Sequence, residues 1–142
     1  MSSKAQQTGM TGVYLVAAQL ANRGLIASPT SRSAFGADIL LTDQLFSKSY
    51  SVQVKTNSKP ASACFLNEKS KEIVGKNHVY VFVNLTKTEL SLNADYYIVP
   101  SKVVSKYMQK VKRPNSTLYF FYFKDAGEYK DKWSVFGIKK IS

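Results

Sequence analysis

In the 142-residue sequence, Asp38 is followed, after 14 intervening residues, by the run Gln53-Val54-Lys55. These residue types could hold a divalent cation and meet a phosphate. Side chains alternate along an extended strand, so Gln53 and Lys55 share one face while Val54 points to the other, into a core. If the segment bearing Asp38 pairs with this strand as a hairpin, its carboxylate approaches the same face. Asp38, the Gln53 amide oxygen and the Val54 backbone carbonyl then offer the hard oxygen donors that magnesium prefers. Lys55 would orient a water or stabilise charge on a phosphate. The competing reading makes Asp38 a strand-end carboxylate capping a turn, and Gln53 with Lys55 a solvated strand face.

Several elements must position these residues. Met10, Val13, Ala17, Leu20 and Ala21 fall at helical spacing, predicting a helix over 10–23 that stops at Gly24. Strands are predicted over 25–28, 37–42, 49–56, 63–66, 78–85, 95–99 and 118–123, with a turn over 43–48. The run HVYVFVNL over 78–85 is β-branched and aromatic, as in a strand buried on both faces. Pro100 opens a predicted helix over 101–111 with Val103, Val104, Tyr107 and Met108 on its apolar stripe. Residues 69–77 read as irregular, and 130–137, with the single Trp, as a short closing helix. The order implies an α/β fold with a mixed central β-sheet flanked by helices, in one domain over 1–142 with a flexible segment over 1–8.

Composition narrows the partners. Twenty Lys and Arg against nine Asp and Glu leave a net charge of +11. Such an excess favours a polyanion, nucleic acid or an acidic membrane surface. On the predicted second helix Lys102, Lys106 and Lys110 share a face, and Lys112 and Arg113 follow. Arg32, just before Asp38, is the best single phosphate contact, since a guanidinium grips phosphate bidentately. One cysteine, Cys64, excludes an intramolecular disulfide, and with one histidine it excludes a zinc-finger-type site. Cys64 reads as a buried small hydrophobe and His78 as a strand-end residue without a Ser or Cys partner. No apolar leader precedes residue 12 and no stretch is long enough to span a membrane, which predicts a cytoplasmic protein without a membrane partner.

TGMTGVYLVAAQLANRG over 8–24, SRSAFGADILLTD over 31–43 and SYSVQVKTN over 49–57 together resemble the PD-(D/E)XK nuclease-like superfamily. The nearest likeness is to its small bacterial QVKT-type members, akin to Holliday-junction resolvases and restriction-endonuclease-like domains. The resemblance implies a restriction-endonuclease-like αβββαβ core and magnesium- or manganese-dependent cleavage of DNA. Asp38, Gln53 and the Val54 carbonyl would hold the metal, and Lys55 would assist the attacking water. It also implies DNA held through its phosphates with little sequence readout, and a homodimer with two sites.

Two positions depart from the family pattern. The first helix of the family places a Glu after a Gly, where Val13 follows Gly12, and the strand carboxylate is Gln53. Asp38 is then the only charged ligand at these positions. Gln19 lies on another helix face, and Asp43 or Glu68 could supply a carboxylate only from a loop. Three functions compete: a metal-dependent endonuclease, a nuclease-like module that retains only DNA affinity, and a subunit that binds another protein through a strand edge.

Overall fold

The computed structural model describes residues 3–34 and 36–138, and the side chains of Arg32, Ser33 and Ala34 lie outside that description. Helix α1 (Lys4–Asn22) begins at Lys4 rather than at residue 10, so residues 4–8 form its first turns. The start is set by a capping box rather than by apolar periodicity. The Ser3 hydroxyl accepts from the Gln6 N–H at 3.1 Å, and the Gln6 side-chain oxygen accepts from the Ser3 N–H at 3.0 Å.

Strands β1 (Ile26–Ala34), β2 (Ala37–Thr42) and β3 (Ser49–Asn57) form an antiparallel meander. The turn between β2 and β3 is tied by Asp43, whose carboxylate accepts from the Ser47 N–H at 2.7 Å, the Lys48 N–H at 3.2 Å and the Ser47 hydroxyl. The chain then makes β4 (Ala63–Leu66), a 3₁₀ turn at Glu68–Lys71, β5 (His78–Lys87) and β6 (Leu92–Pro100). The main sheet has the order β1-β2-β3-β5-β6; β3 and β5 run parallel and the other pairs antiparallel. A parallel pair needs a crossover. Here the crossover carries β4 and a 3₁₀ turn.

After β6 the structure departs from the sequence reading. Helix α2 spans Ser101–Tyr107 only, and Gln109–Arg113 is strand β7, paired with β8 (Ser116–Tyr122). Met108 turns into extended backbone (φ −60°, ψ 142°) and is buried in a core. The expected face of Lys102, Lys106 and Lys110 is therefore corrected: Lys102 and Lys106 lie on α2, but Lys110 lies on β7. Strands β4, β8 and β7 make a second, three-stranded sheet. The closing segment is a 3₁₀ turn at Trp133–Phe136 rather than a helix over 130–137. Among the described residues, no helix is long and apolar enough to cross a membrane.

Two apolar cores flank the main sheet. One packs Val13, Val16 and Leu20 of α1 on Ile39, Val52, Val54, Val81 and Val83, with Trp133 and Phe136. The other packs Tyr80, Phe82 and Val99 on Val104, Cys64 and Phe121. The buried side of α1 is Thr8, Gly12, Val13, Val16 and Leu20, whereas Met10 is exposed. That face is turned from the predicted stripe because the helix comes very close to β3. A Cβ at Gly12 would lie 1.8 Å from Thr56 Oγ1.

Gly12→Ala should therefore destabilise the fold by about 2–3 kcal/mol through overpacking. Gly9→Ala, with nothing within 4 Å of the added carbon, should stabilise it by about 0.5–1 kcal/mol. Denaturant melts of both variants, and of Gly12→Ala with Thr56→Ala, check this: the double variant should recover only part of the loss, because the residue 56 Cβ would still lie 2.9 Å from the added carbon.

Candidate functional site

The β2–β3 register pairs Ile39 with Val52, and both are fully buried toward α1. One step further, Asp38 comes level with Gln53. Residues opposite one another on antiparallel strands project to the same side, so Asp38, Gln53 and Lys55 share the face away from α1. All three are half-buried, and Val54 is 9% exposed behind them in the first core. Asp38 also takes over the ladder at this point. Its Oδ2 accepts from the Val54 N–H at 2.8 Å, so the carboxylate replaces a backbone acceptor. N–H and C=O of one extended residue leave on the same side, which directs the Val54 carbonyl toward β2 as well.

The surroundings position this face. Asn57 Nδ2 donates to Asn84 Oδ1 at 2.8 Å and to the Ala63 carbonyl at 3.1 Å, and Asn84 Nδ2 donates to the Ala61 carbonyl at 2.9 Å. This clip fixes the entry to β4 beside Lys55. Burial pushes the Cys64 thiol of β4 up to about 11, and the nearby Lys55 ammonium works against that shift.

Chain similarity bears on this arrangement. No protein-family model matches the chain, and no curated protein sequence does either. Among solved structures, Hjc, a Holliday junction resolvase from Archaeoglobus fulgidus, is similar to it over 94% of this chain and 98% of that chain. The TM-score is 0.58 at 11% identity. At this identity the likeness is one of fold: the chain has the fold of this resolvase.

On this nuclease-like fold, the other candidates fall in different places. Val13, after Gly12, is 8% exposed in the first core, packed among Val16, Val54 and their neighbours. Gln19 is engaged by Arg23, whose Nη1 donates to its Oε1 at 2.7 Å while its guanidinium lies 4.5 Å from the Trp133 ring. Asp43 is taken up by its own turn; the Ser47 hydroxyl holds its carboxyl below the ordinary 3.8. Glu68 borders a cavity of about 250 Å³ with Lys71, Met108 and Lys110, whose lining includes none of Asp38, Gln53 or Lys55. Tyr14 is exposed. Arg32 belongs to β1, and its side chain lies outside the described residues, as do Lys139 and Lys140.

His78 has a partner that the sequence reading did not find. Its Nδ1 lies 2.6 Å from Ser51 Oγ, across the β3–β5 register. Only the parallel pairing of two strands separated by a crossover brings them together. Hairpin β7–β8 was also missed, although Pro114-Asn115 between KVKR and STLYF is a readable turn signal.

The donor set for a magnesium or manganese ion is sparse in charge: Asp38 is the one carboxylate beside the Gln53 amide oxygen and the Val54 carbonyl. Such ions take about six oxygens, and charge count sets much of the affinity. Here one carboxylate, with one oxygen bonded to the Val54 N–H, stands beside a neutral amide and an ammonium. Among the described residues, no three His, Cys, Asp or Glu side chains gather as a metal site.

Two expectations follow. Val13→Glu should destabilise the protein by about 3 kcal/mol or more, the scale of an unpaired buried carboxylate, and melts with magnesium or manganese should not recover the loss. Burial pushes the His78 imidazole below its ordinary value of 6.5. The unfolded chain then binds more protons than the folded one on the acid side of 6.5. The His78 contribution is full above 6.5 and is lost as pH falls through that value toward the depressed one. Comparing melts of the wild type and His78→Asn across this range should show a weaker acid dependence in the variant.

Proposed function

We propose that this chain is a DNA-binding protein built on a nuclease fold, gripping the phosphate backbone without a resident metal. The observation that carries the reading is the shared face of Asp38, Gln53 and Lys55, with a single carboxylate among them, on a chain of net charge +11. Lys55 meets a phosphate oxygen there, and the Gln53 amide donates beside it. Asp38 holds the Val54 amide and so keeps the two strands in place. Lys102 and Lys106 on α2, Lys110 on β7 and Arg32 on β1 extend the phosphate contacts. DNA as the partner is carried over from the resolvase that shares the fold, and a homodimer would bring two such faces onto one duplex.

A second reading is favoured by the fold shared with the resolvase: a magnesium-dependent endonuclease with a weakened site at Asp38, Gln53 and the Val54 carbonyl. One pair of experiments separates them. Fluorescence anisotropy with a labelled duplex should give binding that falls steeply with salt, with a log-log slope near −0.9 per phosphate neutralised. Four to six contacts would make it roughly −4 to −5, and Lys55→Gln should reduce it by about one. Supercoiled plasmid with magnesium or manganese should remain intact. Nicking that Asp38→Ala abolishes would establish the endonuclease instead, and a flat salt dependence would favour a protein partner.

A further inference from the structure

The three-stranded sheet has two unlike faces. Cys64, Leu66 and Phe121 point inward and are buried in the second core. Side chains alternate, so Phe65, Phe120 and Tyr122 point outward. Phe65 stands opposite Phe120 in the β4–β8 register and is 61% exposed. Their ring centroids are 4.7 Å apart, and the Phe120 and Tyr122 centroids are 6.1 Å apart with planes 25° from parallel. The result is a row of outward-pointing aromatic rings, with Phe65 exposed and Phe120 and Tyr122 half-buried.

Charge surrounds this row. The Lys124 ammonium lies 5.6 Å from the centre of the Tyr122 ring. In the β7–β8 register Gln109 stands beside Phe120, and Arg113 ends the same face beside Ser116. An open cleft of about 410 Å³ runs along this edge between Lys110, Val111, Tyr122, Lys124 and Asp125. Lys110 and Lys124 line this cleft with one carboxylate, Asp125, and Arg113 ends the outer face of β7.

An exposed cluster of aromatic rings marks a binding surface, and the charge identifies the occupant. An apolar protein surface would cover the rings but leave the cations without counter-charge. Unpaired bases offer flat rings to stack, and the connecting phosphates match the lysines. Duplex bases are already stacked on one another and gain nothing from the rings. We infer that the outer face of this sheet is a stacking platform for single-stranded nucleic acid. The surface uses none of Asp38, Gln53 or Lys55 and shares only Lys110 with the function proposed above, so its rings are tested apart from that reading.

The test compares labelled single-stranded oligothymidylate with a duplex of equal length in anisotropy titrations. Phe65→Ser and Phe120→Thr replace rings with polar residues, and Lys124→Gln removes an exposed charge. Each ring variant should weaken single-strand binding on the order of five- to a hundredfold and change duplex binding less than about twofold. Variants that melt like the wild type yet bind the single strand equally well would overturn the inference, as would equal losses on both DNAs. So would a dimer in sedimentation that Phe65→Ser dissociates without changing single-strand affinity, because the face would then belong to a second copy. If the duplex titration fails while the single-strand titration succeeds, the duplex-binding reading falls and the platform remains.

Discussion

Strand β3 is hydrogen-bonded to β2 on one side and to β5 on the other, and its period of two organises the molecule. Val52 and Val54 face α1, while Gln53, Lys55 and Asn57 face the other way. A slip of one residue would put an ammonium into the first core and valines on the polar face. Three polar contacts oppose that slip. The Asp38 carboxylate holds the Val54 amide, Ser51 meets His78, and Asn57 meets Asn84. Each is part-buried, where a misplaced partner would leave a polar group unpaired at a cost of up to about 1–3 kcal/mol.

The two cores impose different demands on their covering elements. Helix α1 lies so close to β3 that only Gly12 fits against Thr56, which makes the approach a matter of backbone packing. The opposite side is filled by rings. Phe82 stacks on Phe121 at 5.0 Å and on Tyr80 at 5.7 Å, and Tyr97 stacks on Phe123 at 4.7 Å. These rings hold the small sheet against the large one, and the small sheet carries β4 past Lys55.

Internal ion pairing does little to hold the fold together. Lys130 and Asp95 approach only to 3.9 Å, with both side chains about half exposed, a geometry that contributes little. Among the described residues the fold thus relies mainly on apolar burial and hydrogen bonds, and the net charge of +11 makes a field that draws polyanions. Arg23 is an exception, turned inward onto Trp133 and Gln19.

Local patterns alone were enough to read β2, β4, the alternation of β3, the buried run of β5 and the mixed sheet with its nuclease-like resemblance. Each rests on neighbours along the chain: β-branched residues, period-two alternation and a Gly-bounded strand. The face shared by Asp38, Gln53 and Lys55 was readable for the same reason, once the two strands were taken as a hairpin. Tertiary structure decided the rest. Val13 and Gly12 fit any apolar helical stripe, and only docking on Thr56 selects which side of α1 is buried. Residues 108–113 continue a helical charge pattern, yet pairing with β8 and burial of Met108 outweigh that weak local preference. Ser51 and His78 lie 27 positions apart, and a parallel crossover is what joins them. Which ring of LYFFYF faces solvent likewise depended on the sheet against which it was laid, because a strand's alternation has no inside until another layer covers one face.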